Sequence, residues 1–198
     1  MSDIKKIEQH YSLDERPFLE KVRGFCQLVD DRYSPYLTDF LNPREIQIVE
    51  ELAHYYNLKF FVSSTLESEE YGRVILAPEY YELEEDDFEI KRLEISYARQ
   101  FNKLTHPKVL GALINQLGLD RQVFGDIILD EEGRVQFSIA SHLASYAIMT
   151  ITKIGNASVT LKEVSKDDWI SNQEKYSKTF VLLSSMRLDN VLATVLNL

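Results

Sequence analysis

Arg99, Lys103, His106 and Lys108 fall within one short stretch, RQFNKLTHPK, and Arg121 follows one helix-length later. Guanidinium and ammonium groups gathered this way neutralise phosphate. The same stretch opens a helical pattern. A helix N-terminus adds free N–H groups and the positive end of its dipole. Phosphate contact by Arg99, Lys103, His106, Lys108 and Arg121 is therefore the chemistry this segment offers. Between residues 91 and 128, six basic residues stand against three acids.

The sequence offers no competing catalytic constellation. It has no Gly-rich phosphate loop and no G-x-S-x-G elbow. His10, His54, His106 and His142 are scattered, and none stands with a cysteine or second histidine at zinc spacing. His142 in SIASHLAS adjoins serines but lacks a third partner. The acids of EEDD lie in a charged run, not in a cleft that drives two carboxyl pKa values apart. No catalytic residue, cofactor or metal ligand is assigned.

The charge is divided along the chain. The net charge is −10 over 198 residues. Residues 1–90 carry 21 acids against 9 basic residues, and residues 91–198 carry 11 against 13. Halves of opposite balance point to different jobs. The junction is ELEEDDFE, with six acids in eight residues, read as a solvated linker. Apolar runs such as KFFV and TFVLLSS are strand-sized, far below a membrane span. The charged N-terminus has no signal-peptide core. The single cysteine, Cys26, sits on a helical apolar face and is expected to be a buried packing residue. A cytosolic location is expected.

These residues must be positioned by regular elements. Residues 14–32 have helical periodicity, with Asp14 as a candidate cap and Pro17 in the first turn. In LNPREIQIVEELAHYYN, Asn42 is a natural N-cap and Glu45 completes a capping box. LKFFVSS and RVILAP read as strands. The sum is helices on a small sheet. From 88 to 165 the order is β-α-β-β-α-β: FEIKRLEISYA, HPKVLGALINQLGL, VFGDIILD, GRVQFSIA, SHLASYAIMTITKIG and ASVTLKEV. Ser141 is the expected cap of the second helix and Gly155 its terminator. This is the ferredoxin-like plan, shared by RNA-recognition domains. Leu93, Ile95 and Tyr97, Val135, Phe137 and Ile139, and Ala157, Val159 and Leu161 should face the helices. The open face is then Arg92, Glu94, Ser96, Gln136, Ser138, Thr160 and Lys162. It is polar and offers no aromatic platform for base stacking.

The segments YLTDFLNPRE, APEY before an acidic stretch, HPKVLGALINQLGLDRQVFGDI and SSMRLDNVLATVLNL together resemble the YlmH family of Gram-positive bacteria. The resemblance covers nearly the whole chain. It implies an α+β protein in parts: an N-terminal α/β domain (1–80), an acidic linker (81–87), an RNA-recognition-like βαββαβ domain (88–165), a linker (166–180) and the start of an αL RNA-binding domain (181–198). The last is expected to be incomplete, with Arg187 as its basic contact. The resemblance also implies a non-enzymatic protein that binds ribosomal RNA or tRNA on the large ribosomal subunit. Its setting would be the quality control of stalled translation, with a link to division proteins. No membrane insertion and no small-molecule substrate are expected. Two alternatives remain: an interaction module docking a ribosomal or division protein through its acidic N-terminal domain, and an RNA-modifying enzyme.

Overall fold

The computed structural model describes residues 11–63 and 69–170. The expected start of an αL domain, and Arg187 within it, lie outside the described residues.

Helix α1 runs Arg16–Arg32, with Pro17 in its first turn. It buries Leu19, Val22, Cys26 and Val29, a spacing of three and four that places them on one face. Asp14 is not its cap. Glu15 holds that position without a side-chain capping bond, and its carboxylate accepts instead from the Ser12 N–H and from Arg44 Nε. Strand β1, Tyr36–Leu41, was not anticipated, because LTDFL leads directly into a helical pattern. Asn42 separates the two. Its backbone is extended and its side chain closes the expected capping box with Glu45 at the head of helix α2, Pro43–Tyr55. Strands β2 (Lys59–Val62) and β3 (Gly72–Ala77) follow as expected. The three strands are antiparallel in the order β1-β3-β2. Leu41, Val74 and Leu76 pack on the buried faces of α1 and α2.

The second unit comprises β4 (Ile90–Tyr97), α3 (His106–Leu117), β5 (Phe124–Leu129), β6 (Val135–Ala140), α4 (Ser141–Thr150), β7 (Lys153–Ile154) and β8 (Ala157–Glu163). Its strands lie in the order β5-β6-β4-β8-β7, all neighbours antiparallel. Leu93 stands opposite Phe137, and Ile95 lies between Val135 and Leu161. These residues form one core with Val109, Leu113 and Leu117 of α3 and Ala144 and Ala147 of α4. Gly118, in the left-handed region, ends α3.

Helix α4 is shorter than expected. It stops at Thr150, where the β-branched run Thr150-Ile151-Thr152 begins. The chain then makes the small strand β7, and Gly155 at φ 58° turns it into β8. Ser141 does not cap α4 but is its first residue, and its N–H donates to the Glu89 carbonyl at 2.8 Å.

The acidic junction is ordered. Glu85–Phe88 forms a turn of 3-10 helix, and Phe88 packs with Ile75 and Ala77. Arg73, buried in the first unit, donates to the carbonyls of Thr38 (2.8 Å), Phe88 (2.9 Å) and Glu89 (3.1 Å). One buried cation thus satisfies three carbonyls across the junction, the usual condition for burying a charge.

Candidate nucleic-acid interface

The outer face of the larger sheet is covered over β4 and β6, while Thr160 and Lys162 of β8 stay exposed. Arg92, Glu94, Gln136 and Ser138, expected in solvent, are all buried, with Arg92 only 1% exposed. Two covers account for this. The first is the segment after β8. There Lys166–Asp168 forms a 3-10 turn, Ile170 N–H donates to Gln136 Oε1 at 3.0 Å, and Gln136 Nε2 donates to the Asp168 carbonyl at 3.0 Å. Residues 166–170, expected as linker, are therefore part of the packed unit. The second cover is the first unit. Glu69 pairs with the Arg92 guanidinium, and the Phe40 ring lies against Gly125. Base stacking on β4 and β6 is closed off by the chain itself, and the exposed outer positions of β8, Ser158, Thr160 and Lys162, include no aromatic.

Glu94 and Gln136 are matched under the cover, whereas the buried indole Nε1 of Trp169 has no hydrogen-bond partner among the described residues. Glu94 accepts from Arg134 at 2.7 Å and from Gln136 at 3.1 Å. Burial acts to raise its pKa, but these bonds outweigh it and hold the carboxyl below its usual range. Glu69 goes the other way: burial raises it despite the Arg92 charge. Asp126, which accepts from the Tyr71 N–H at 3.0 Å, is also raised by burial.

Of the predicted phosphate-binding residues, Arg99, Lys103, His106 and Lys108 come together as exposed side chains around the β4–α3 loop. The loop is built to present them. The Ala98 carbonyl accepts from Phe101 N–H and Asn102 N–H, both at 3.1 Å, and from Asn102 Nδ2 at 3.3 Å. Leu104, 4% exposed, pins the far side into the core. Thr105 then enters α3 with extended backbone and no side-chain cap, so the first N–H groups of the helix receive no capping side chain. Arg99 makes one long bond, 3.4 Å, to the Glu132 carbonyl.

Arg121 is differently placed. Its guanidinium lies 4.1 Å from the Tyr71 ring centroid and donates to the Phe124 carbonyl. It joins the two units and is left out of the exposed group. Its position just past a helix hid this in the sequence, because Tyr71 is fifty residues earlier.

Sequence reasoning also missed Phe101. It is 84% exposed and stands at a groove of about 210 Å³ between the β4–α3 loop and the β7–β8 turn. The available signal was an aromatic in a polar stretch, outside the helical spacing that follows. Both walls come from acid-free segments. No Asp or Glu occurs between Glu94 and Asp120, or between Glu132 and Glu163. In a chain of net charge −10 this surface is distinctly cationic. Among the described residues, no three His, Cys, Asp or Glu side chains gather as metal ligands, and no helix is long and apolar enough to cross a membrane.

Residues 84–168 match the family model described as "Putative RNA-binding domain in YlmH". The "Ribosome-associated protein quality control protein P2" of Bacillus subtilis is 34% identical over 195 residues, spanning 98% of this chain and 74% of that protein. Among solved structures, the "Cell division protein ylmH from Streptococcus pneumoniae" is 41% identical, with a TM-score of 0.73 over 82% of this chain and 98% of that one.

Proposed function

The chain belongs to the YlmH family, and from that premise we propose that it is a cytoplasmic, non-enzymatic protein that binds RNA on the ribosome. Its setting is the large subunit carrying peptidyl-tRNA, in the quality control of stalled translation, with a link to cell division. The names of its relatives and the matched RNA-binding domain support this reading. The strand order, with β4 and β6 central and β5 and β8 outside them, supports a ferredoxin-like, RNA-recognition-like plan for residues 88–165. The observation that carries the proposal is the exposed cluster of Arg99, Lys103, His106 and Lys108 in a segment with no Asp or Glu between Glu94 and Asp120. Such a cluster serves phosphate neutralisation, while the covered sheet face leaves no room for the usual base-reading mode.

The test is salt-titrated binding to purified large ribosomal subunits. Reversal of Arg99, Lys103 and Lys108 to Glu is expected to weaken binding and to reduce the slope of log K against log salt by roughly two. Unchanged affinity and slope would remove this surface from the RNA interface. Loss of binding to a purified ribosomal protein, with RNA binding intact, would favour an interaction module instead.

A further inference from the structure

We propose that the groove beside Phe101 holds one unpaired nucleotide of RNA, its base stacked on the Phe101 ring and its flanking phosphates held by Lys103 and Lys108. This rests on the RNA-binding reading of the same loop and makes it specific: the ligand is single-stranded, and an aromatic ring contributes beside the charges.

Phe101 is held out of the core by construction. The Ala98 carbonyl fixes the turn on one side of it and buried Leu104 anchors the other, so the intervening ring is presented to solvent. The groove it borders has the composition a base requires. Its floor includes Ile154 and Ala157, both nearly fully buried and therefore fixed. Its rim carries the amides of Asn102 and Asn156, which donate and accept as a base edge does. Lys103 and Lys108 line the same groove, with no acid in either contributing segment. A base stacked on an aromatic with lysines along the backbone is how single strands are held without a sheet platform. A duplex buries its base faces and has no use for the ring. The charge is wrong for a cationic ligand.

The proposal is tested on the full chain with an unstructured RNA octamer containing 2-aminopurine, and with the same strand in a duplex. Wild-type protein should prefer the single strand and change the 2-aminopurine fluorescence. Phe101→Ala should lower single-strand affinity about tenfold and abolish the fluorescence change, with the salt slope unaltered. Phe101→Trp should restore both. An unchanged thermal midpoint establishes that Phe101→Ala still folds. If Phe101→Ala binds and perturbs the probe as wild type does, while Lys103→Glu/Lys108→Glu weakens binding, stacking is overturned and the phosphate reading stands. If neither variant changes binding, both readings fall. Equal competition by polyglutamate would also overturn the proposal, since it would show a site for negative charge alone.

Discussion

The guanidinium of Arg92 lies 4.0 Å from the centre of the Trp169 ring, beneath the segment that closes the outer face of the larger sheet. A cation desolvated against an indole contributes of order 2 kcal/mol. Trp169→Ala is expected to lower unfolding free energy by about 2 kcal/mol, and Trp169→Phe by less. Urea titration followed by circular dichroism measures both. Trp169 is the sole tryptophan, so its fluorescence reports this closure directly. Acrylamide should quench it weakly until the chain unfolds. Strong quenching in the native state would mean that the segment leaves the sheet.

Glu69 and Arg92 form an ion pair linking the first unit to the covered face. Removing one partner strands the other in a low-dielectric site. Arg92→Met should cost about 3–5 kcal/mol. Adding Glu69→Gln should recover a large part of that loss, because no unpaired carboxylate is then left behind. A double-mutant cycle in urea measures the coupling, and strict additivity of the two changes would contradict the pairing.

Gly125 faces Phe40 across the contact between the units. A Cβ at position 125 would lie 2.7 Å from Phe40 Cε1 and 2.9 Å from Ser138 Cβ. Neither neighbour is the free end of a flexible chain. Gly125→Ala is expected to destabilise by about 1–3 kcal/mol, and Phe40→Leu in the same chain should relieve part of it. Thermal melts of the two single variants and the double variant test this.

Folding favours the ionised form of Glu94, since hydrogen bonds from Arg134 and Gln136 outweigh the opposing effect of burial. Its contribution is complete above the usual carboxyl value of 4.5 and is lost as pH falls through the lower folded value. Glu69 has the opposite sign: burial raises it, so its contribution grows as pH falls. Comparison of wild type with Glu94→Gln isolates the first effect. The variant should start less stable near neutrality, and the difference should shrink as pH falls below the usual carboxyl value. A constant difference over the same fall in pH would show that the carboxylate charge is not what matters.

Cys26 is fully enclosed, and burial pushes its thiol up to about 11. Ellman's reagent at pH 8 should react with it only on the timescale of unfolding, and at once in denaturant. Rapid reaction in the native protein would refute the packing described for α1.

Much of this protein is written locally. The alternation of Leu93, Ile95, Val135, Phe137 and Ile139 set which side of the sheet meets the helices, because successive strand residues point to opposite faces. Asn42 and Glu45 set the start of α2 through bonds made within four residues. The exposed basic loop was likewise legible, since four of its residues are neighbours in sequence. Tertiary structure alone decided the fate of the other sheet face. Alternation marks Arg92, Glu94, Gln136 and Ser138 as not facing the helices, but a polar face is equally compatible with water and with a polar cover. That cover comes from Glu69, Asp168 and Ile170, each more than twenty residues from the side chain it meets. Strand β1 and the diversion of Arg121 to Tyr71 have the same origin. Their partners lie far along the chain, and contacts across such distances leave no period or spacing for a local reading to find.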